Sequence, residues 1–349
     1  MKSPRPNPPQ GLRMLKSSLL IPLLSLHLIA QTSAIVGASY LPPAPVSAAP
    51  GQILTVFVTG LSVSSTTHAP AGALPTSLAG VTATLYQGSD IPAPVIDVRP
   101  ISTCPDLTGI PNLQAVTCSM LTAVTVQIPY ELVPLCPLCA NPALPSAQLF
   151  VSQNGFTSTA IELNALADQT HILTACDIVV APPGIPATLI IPTGLNCASI
   201  VTHSDGSMVT PSSPANPGEA LTAWAVGLGQ TNPPATTGHP ASSAAPTTQT
   251  FYLNYDYELN ALAVRPFTSD PDRKPPTPLY AGLAPGYPGL YQINFVVPPA
   301  PANGIGRCAL TGTFAAGGNV VTSNLTVSFG GGYSFDAARI CVTTPIPVD

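Results

Sequence analysis

Two cysteines separated by two residues, in Cys136-Pro137-Leu138-Cys139, form the spacing in this chain that most directly suggests chemistry. A CxxC motif can act as a redox centre when it opens a helix after a strand, and a pair of such motifs can bind zinc. Here the flanking residues are rich in proline and β-forming residues, and no second CxxC follows. We interpret the motif as a structural disulfide. The alternatives are a redox pair or, with Cys104 and Cys118, a four-thiolate zinc site.

The chain has eight cysteines, and an even number in an exported protein predicts four disulfides. Eight cysteines allow 105 connectivities, so the simplest prediction joins nearest neighbours. The predicted pairs are Cys104–Cys118, Cys136–Cys139, Cys176–Cys197 and Cys308–Cys341.

The residues His203-Ser204-Asp205 have the types of a hydrolase triad. Three sequence neighbours seldom converge on one reaction centre, and no GxSxG motif is present. The other histidines after the leader, His68, His171 and His239, are at least 32 residues from one another and from His203, so no HExxH metal site exists. We predict a surface turn ending in Asp205-Gly206 and no catalytic residue.

The closely spaced carboxylates Asp270 and Asp272 suggest a calcium loop, but Arg273 and Lys274 follow them and would oppose a cation. We expect an exposed charged loop there, and we predict no metal and no cofactor. A glycosidase pair is not identifiable among the few, scattered acidic residues.

Four aromatic residues near the start of the second half, Trp224, Tyr252, Tyr255 and Tyr257, could form a platform for a sugar ring. Trp224 lies in the middle of a regular strand-like segment, where a core tryptophan is typical of β-sandwiches. We therefore expect packing rather than ligand binding.

Only 7% of the residues are charged. Residues 35–349 contain 6 basic and 15 acidic residues, which gives this part of the chain a formal charge of −9. Such a chain cannot neutralise a run of phosphates, which argues against nucleic-acid partners and against docking on an anionic membrane.

Residues 1–34 have the pattern of an export signal. Four basic residues precede the apolar stretch Leu19–Ala30, and Thr32-Ser33-Ala34 supplies small residues for cleavage after Ala34. The apolar stretch is short for a membrane span, although an uncleaved N-terminal anchor is the alternative. Met14 could equally be the true start. We predict an exported protein, secreted or at the cell surface or in the periplasm, with no membrane span after cleavage.

Two similar segments organise the rest of the chain: 50–61 and 217–229, each opening with Pro-Gly and ending in Gly-Leu, 167 residues apart. Alternating segments such as Val81–Tyr86, and the hairpin signal Asn154-Gly155, predict strands, and no segment has the 3.6-residue period of an amphipathic helix. These patterns favour an all-β fold of two antiparallel β-sandwiches. The predicted organisation is a signal peptide (1–34), a Pro/Ala-rich lead-in (35–49), a first module (50–163), an ordered bridge (164–216) and a second module with its tail (217–349).

Two of these segments also resemble a known family. The segment 217–229 and the segment 282–298, Gly-Leu-Ala-Pro-Gly-Tyr-Pro-Gly-Leu-Tyr-Gln-Ile-Asn-Phe-Val-Val-Pro, are similar to the Solibacter-type C-terminal domain family of exported acidobacterial proteins. Segments 74–81 and 128–132 resemble its first-repeat version, so the resemblance covers roughly 45–330. It implies tandem immunoglobulin-like (IPT/TIG-like) modules and no catalytic residue or ligand. The first module departs from the pattern, with Ala123 and Thr125 at the positions of Gln292 and Asn294.

These observations predict a non-catalytic exported protein with an interaction or scaffold role. Its partner would be an envelope or extracellular protein or a glycan. The alternatives are a carbohydrate-binding module protein, a hydrolase with an unrecognised site and a passive spacer.

Overall fold

The computed structural model describes residues 33–38, 46–101, 121–134, 146–174, 198–255, 276–299, 324–329 and 334–343. All of them belong to one compact unit that begins at Thr32. Every regular element in this part of the chain is a β-strand, which confirms the all-β prediction. Period-2 alternation is the cause: in Val81–Tyr86, alternate residues are buried while those between them are partly or fully exposed.

The strands of the first half form two sheets. Sheet 1 has the order β1-β3-β9-β8-β4 and contains β1 (Ala34–Ala38), β3 (Ile53–Thr59), β4 (Thr67–His68), β8 (Val95–Pro100) and β9 (Leu121–Gln127). Sheet 2 has the order β2-β12-β10-β6-β5, with β7 beside β6 and β11 beside β10. Its strands are β2 (Val46–Ala48), β5 (Ser77–Leu78), β6 (Val81–Tyr86), β7 (Asp90–Ala93), β10 (Ala147–Gln153), β11 (Phe156–Thr157) and β12 (Ile161–Ala165).

The strands of the second half form two further sheets. Sheet 3 has the order β13-β15-β19-β18-β16, with β14 also beside β15. Its strands are β13 (His171–Ile172), β14 (Val201–Thr202), β15 (Ala220–Val226), β16 (Ala245–Pro246), β18 (Thr277–Leu283) and β19 (Tyr291–Val296). Sheet 4 has the order β17-β20-β21 and contains β17 (Phe251–Tyr255), β20 (Leu325–Phe329) and β21 (Ser334–Ala338).

Each pair of sheets encloses an apolar core. Between sheets 1 and 2, Val56 of β3 belongs to the same buried cluster as Leu85 of β6 and Leu149 of β10. Between sheets 3 and 4, Phe295 of β19 belongs to a cluster with Phe329 of β20, whose ring stacks on Phe251 at a centroid distance of 5.6 Å. The two halves are therefore two sandwiches, each with its own core.

The two sandwiches repeat one another in strand register. Strand β3 pairs with β9 so that Ile53 lies opposite Gln127, and β15 pairs with β19 so that Ala220, 167 residues after Ile53, lies opposite Val296. The turns before these strands make matching bonds: the Gly51 N–H donates to the Ile128 carbonyl at 2.9 Å, and the Gly218 N–H donates to the Val297 carbonyl at 2.9 Å. The sequence repeat is thus also a structural repeat.

One strand of the first sandwich corresponds to two in the second. Strand β1 runs along β3, with Ala34 opposite Thr59. Beside β15 the same edge is shared by β13, with His171 opposite Val226, and by β14. The excursion between β13 and β14 is closed at its base by the bridge of Thr174 with Ser199. Parts of 35–49 and 164–216 are therefore sheet strands.

The predicted hairpin at Asn154-Gly155 is confirmed. Gln153 pairs with Phe156 across it, and both turn residues have positive φ, 52° and 82°. These values fit the two-residue turn whose twist matches the flanking strands. Residues 175–197 of the predicted bridge, and residues 256–275 and 300–323 of the predicted second module, lie outside the described residues.

The two sandwiches pack against each other through sheets 1 and 3. A third buried cluster joins Ile53 and Ile96 of the first sandwich to Val226 and Leu290 of the second. A hydrogen bond also crosses the contact, since the backbone N–H of Gly238 donates to the side-chain oxygen of Gln127 at 2.7 Å. Every residue of β9 is buried, consistent with its position in a sheet covered on both faces.

Tyr130 lies at the centre of the polar part of this contact. Its N–H donates to the Thr237 hydroxyl at 2.8 Å, and its carbonyl accepts from the Gln230 side chain at 2.7 Å. Its own hydroxyl lies 3.2 Å from that of Tyr291. Bonds to both backbone and side chain fix the first sandwich on the second.

Candidate functional site

A polar cleft of about 610 Å³ lies at the end of the second sandwich where β15 begins. Its walls come from two turns, at 203–207 and 213–219, which flank the paired strands β14 and β15. We name it the Glu219 cleft. The polar residues that line it include His203, Ser204, Asp205, Ser207, Ser213, Asn216 and Glu219.

The Pro217-Gly218 turn places Glu219 in the cleft. The Glu219 N–H donates to the Asn216 carbonyl at 3.1 Å, and the Asn216 N–H donates to the Glu219 carboxylate at 2.8 Å. The first sandwich has the same arrangement, in which the Ala49 N–H donates to the Gln52 side-chain oxygen at 2.8 Å. The side chain at this position therefore folds back onto its own turn in both copies, but only the second copy is charged.

The opposite wall is the turn predicted from the sequence. The Gly206 N–H donates to the His203 carbonyl at 3.0 Å, and the His203 N–H donates to the Ser207 carbonyl at 2.9 Å. The Asp205 carboxylate accepts from the N–H and the hydroxyl of Ser207, at 2.9 and 2.6 Å. Asp205 thus stabilises the turn.

His203 and Glu219 form the strongest polar contact of the cleft. The His203 Nδ1 lies 2.5 Å from the Glu219 Oε1, and the two side chains are only 12% and 24% exposed. On the other side of the ring, Nε2 lies 3.1 Å from the Ser213 carbonyl oxygen and 3.4 Å from the Ser213 hydroxyl. The cleft therefore contains a glutamate, a histidine and a serine in a row.

This row is not arranged for nucleophilic catalysis. A general base needs a free lone pair on Nε2 facing the serine hydroxyl. A carbonyl oxygen can only accept, so the shorter contact to Ser213 requires a proton on Nε2, while Nδ1 donates to Glu219. The Ser213 N–H is also used, since it donates to Thr210 at 3.1 Å. The geometry is that of an imidazolium held between two acceptors.

The pKa shifts agree with this geometry. Burial acts to lower the pKa of His203, but the hydrogen bonds to Glu219 and to the Ser213 carbonyl, with the negative charges of Glu219 and Asp205, raise it above its ordinary 6.5. Burial likewise acts to raise the pKa of Glu219, but bonds from His203 and Asn216 hold it below its ordinary 4.5.

Replacing His203 with glutamine is expected to reduce stability most between about pH 4.5 and 6.5, by about 1 kcal/mol, because the pair is partly exposed. The histidine contribution is complete below pH 6.5 and is lost as the pH rises through the raised pKa of His203. The glutamate contribution is complete above pH 4.5 and is lost as the pH falls through the lowered pKa of Glu219. Urea unfolding at pH 5.5 and 8.5 measures this difference. The matched control is His239→Gln, at an exposed histidine; an equal loss at both pH values for His203→Gln would contradict the expectation.

Sequence reasoning placed His203 and Asp205 together and missed Glu219. The structure gives the two residues different partners, since His203 pairs with Glu219 and Asp205 pairs with Ser207. One signal could have found Glu219. Aligning the two copies places it where the first has Gln52, so a charge stands at a position that the fold uses to close a turn.

Two other histidines also face carboxylates in the described part of the chain. His68, at the edge of sheet 1, lies 2.6 Å from Asp97, and His171 of β13 lies 3.0 Å from Asp336 of β21. His171, His203 and His68 are in separate places, so they do not converge on one centre. His239 is exposed and lies in a turn, in which the His239 N–H donates to the Thr236 carbonyl at 3.0 Å.

The buried carboxyl of Asp97 makes stability depend on pH. Asp97 is 1% exposed, and burial raises its pKa from 3.8 to about 6, although His68 and Arg99 act in the opposite direction. Its contribution is therefore complete below pH 3.8 and is lost as the pH rises through about 6.

We expect Asp97→Asn to be more stable than the wild type at pH 8, by on the order of 1 to 2 kcal/mol, and to have no such advantage at pH 3.5. His68 is more than half exposed, so solvent screens the attraction that the variant loses. Thermal unfolding across this range tests the expectation, with the exposed Asp90→Asn as control. Parallel pH profiles for Asp97→Asn and the wild type would rule it out.

Two of the four candidate platform residues, Trp224 and Tyr255, pack against buried clusters. Trp224 contacts the cluster between the sandwiches, and its indole N–H donates to the Thr202 hydroxyl at 3.1 Å. Tyr255 is 5% exposed within the core of the second sandwich, whereas Tyr252 is half-buried. Tyr257 lies outside the described residues. The packing interpretation therefore holds for Trp224 and Tyr255.

Of the eight cysteines, Cys341 lies within the described residues. It is 1% exposed and disulfide-bonded. The CxxC at 136–139, the carboxylates Asp270 and Asp272 and the remaining cysteines lie outside the described residues, so the pairing stays a prediction. Within the described ranges, no three His, Cys, Asp or Glu side chains are grouped as metal ligands would be.

The comparisons with known proteins give no relative. No protein-family model, no curated protein and no solved structure matches the chain. Across the residues that the structure describes, no helix is long and apolar enough to span a membrane.

Proposed function

We propose that this chain is an exported, non-catalytic protein that acts at the cell surface or outside the cell as a rigid interaction scaffold of two immunoglobulin-like sandwiches. The leader pattern and the cysteine content support export. The resemblance of 217–229 and 282–298 to the Solibacter-type C-terminal domain family supports the assignment of the modules, since these segments contain β15 and β19.

The observation that carries the scaffold role is the contact between the two sandwiches. Flexibly tethered modules share little surface, whereas here an apolar cluster and the bonds of Gln127 and Tyr130 fix one sandwich on the other. A fixed angle between modules is useful in a protein that holds partners at a set spacing.

The Glu219 cleft is our candidate for the partner surface. The corresponding corner of the first sandwich, Pro50-Gly51-Gln52, is buried against the second sandwich, whereas Pro217-Gly218-Glu219 is half-buried or exposed. Its hydroxyl, amide and carboxylate groups suit a polar partner, an envelope or extracellular protein or a glycan, better than an apolar one. Because the His203 ring donates from both nitrogens, the cleft is also poorly suited to general-base chemistry.

The disulfide framework remains part of the proposal. In the described ladder, Thr174 lies opposite Ser199 and the Ile200 N–H donates to the Leu173 carbonyl at 2.7 Å. Cys176 and Cys197 each lie two residues further into the same excursion, which supports their predicted pairing.

The test measures retention of the purified, oxidised protein on envelopes of its own source cells. We expect saturable retention that unlabelled protein competes away. Ser204→Arg, which places a bulky charge in the cleft, should weaken it about tenfold, corresponding to roughly 1.4 kcal/mol. Ser243→Arg makes the same change at an exposed position outside the cleft and should have no effect.

Two results would overturn the proposal. Hydrolysis of a generic ester, peptide or glycoside that is lost in His203→Gln would assign an enzyme. Absence of saturable retention would leave a passive spacer. Equal binding by both serine variants would remove the cleft as the partner surface, and pretreating the envelopes with protease or periodate distinguishes a protein partner from a glycan.

A further inference from the structure

We propose that the outer face of sheet 2 binds a neutral glycan, with sugar rings stacked on Tyr86 and Phe150. This face belongs to the first sandwich, whereas the Glu219 cleft belongs to the second. It is a second binding surface beyond the proposed function, and its occupancy does not depend on the cleft. Its aromatic pair is also different from the candidate platform around Trp224.

The side chains of this face follow from strand register. Successive side chains of a strand alternate between its two faces, and Leu85 and Leu149 belong to the core, so their neighbours point outward. Taken in the order β7, β6, β10 and β12, one outward row is Asp90, Tyr86, Gln148 and Glu162, and the next begins Pro92, Thr84 and Phe150. All seven are half-buried or exposed. Four strands span about 14 Å, which suits an oligosaccharide better than a single sugar.

Tyr86 and Phe150 bring two aromatic rings together on this face. Phe150 lies opposite Thr84, two residues before Tyr86, so the rings are diagonal neighbours on adjacent strands. Diagonal neighbours are about 7 to 8 Å apart, a distance that aromatic side chains bridge. Tyr86 is 38% exposed and Phe150 is half-buried. Because the C–H face of a sugar ring packs on an aromatic ring, the pair offers two adjacent stacking positions.

Free hydrogen-bonding groups lie beside the rings. In the part of the chain that the structure describes, no hydrogen bond or ion pair engages the side chain of Tyr86, Gln148 or Glu162. Further along the same face, by contrast, the hydroxyls of Ser152 and Thr157 lie 2.9 Å apart and bond to each other. A phenol, an amide and a carboxylate together supply donors and acceptors, and sugar hydroxyls require both.

The charge and composition of the two rows favour a glycan over other ligands. Asp90 and Glu162 are acidic and neither row contains lysine or arginine, so the face repels nucleic acids and anionic lipids. The core of a protein interface is rich in aromatic residues, methionine and arginine and poor in aspartate and glutamate. Here carboxylates, an amide and a hydroxyl accompany the two rings. A neutral partner rich in hydroxyl groups matches that mixture.

The first sandwich fixes this face and leaves it open. Gln87, next to Tyr86, exchanges two hydrogen bonds of 2.9 Å with the backbone of Val133, which hold the end of β6 in place. A surface that is ordered before binding loses less entropy when it binds. In sheet 4 the central strand is β20, as β10 is central in sheet 2, and all five residues of β20 are buried. The open face is therefore not a general feature of the repeated module.

Affinity electrophoresis of the purified, oxidised protein tests the proposal. The gels contain hydroxyethyl cellulose, galactomannan or dextran, which are neutral polysaccharides. We expect slower migration in at least one of them, and no change in high salt, because no ion pair contributes. Unchanged migration in all three overturns the proposal. Slower migration only with the cationic polysaccharide chitosan, abolished by high salt, overturns it as well.

Variants locate the binding on this face. Tyr86→Ala and Phe150→Ala should each weaken binding about five- to tenfold, whereas Tyr86→Phe and Phe150→Tyr keep a ring and should bind better than the matching alanine variants. The control is Phe156→Ala, since Phe156 is 70% exposed but lies opposite Gln153, on the other face of the hairpin. Thermal unfolding confirms that each variant is folded. Full binding by both alanine variants, or equal losses by the ring-keeping ones, overturns the stacking on Tyr86 and Phe150.

Discussion

Replacing Gly227 with alanine is expected to destabilise the protein by about 3 to 5 kcal/mol. Gly227 has a φ of +78°, a conformation that costs an alanine about 1 to 2 kcal/mol. The added Cβ would also overlap the Gln169 carbonyl oxygen and lie 2.8 Å from its carbon. These are backbone atoms, and the Gln169 N–H is itself bonded to the Gly227 carbonyl, so neither side can move aside cheaply.

Gly218→Ala is the matched control, because it lies in the same motif and has a similar φ of +82°. A Cβ on Gly218 would meet nothing within 4 Å, so only the backbone cost of about 1 to 2 kcal/mol remains. Urea unfolding of both oxidised variants gives the comparison. Similar losses of stability would show that the contact with Gln169 is relieved elsewhere, and the steric argument would then fail.

The contrast between these two glycines shows what the sequence could predict. Repetition of Pro-Gly and Gly-Leu indicated two copies of one module, and β3 and β15 each pair with a later strand in matching register. Strand patterns and the Asn154-Gly155 turn depend on neighbours in sequence, so they were predictable. The different surroundings of Gly51, Gly218 and Gly227 depend on what packs against each copy, which local patterns do not contain.

The contact between the sandwiches could not be predicted for the same reason. Tyr130 and Tyr291 meet across 161 residues, and nothing in either local segment points to the other. Only part of the cleft could be predicted. The turn at His203 was visible in the sequence. The contact of His203 with Glu219 was not, because it requires β14 to lie beside β15. Strand β14 has only two residues, too short to show a pattern.

The two copies of the repeat differ in chemistry at the Pro-Gly corner that precedes β3 and β15. The first copy has Ala49, Gln52 and Ile53 where the second has Asn216, Glu219 and Ala220. The corner of the second copy is charged and open to solvent, whereas the matching corner of the first copy, Pro50-Gly51-Gln52, is uncharged and buried.

The second large effect is expected for Tyr291→Phe, which should lower stability by about 2 to 3 kcal/mol. The Tyr291 hydroxyl donates to the Gly229 carbonyl at 2.5 Å, and since it has one proton, the Tyr130 hydroxyl donates to it at 3.2 Å. Burial raises the pKa of Tyr130 to about 12 and that of Tyr291 well above its usual range, so both stay protonated and neutral. Removing the Tyr291 hydroxyl deprives two buried groups of a partner.

Tyr130→Phe removes one donor from the same chain of bonds and leaves the bond to Gly229, so we expect a loss of about 1 kcal/mol. If the two hydroxyls act as one network, the double variant should lose less than the sum of the single losses, with a coupling of about 1 kcal/mol between them. Chemical unfolding of the four proteins completes the cycle. Additive losses would mean that the two tyrosines stabilise the contact independently, and the sandwiches would then be held together by their apolar cluster rather than by the hydroxyl pair.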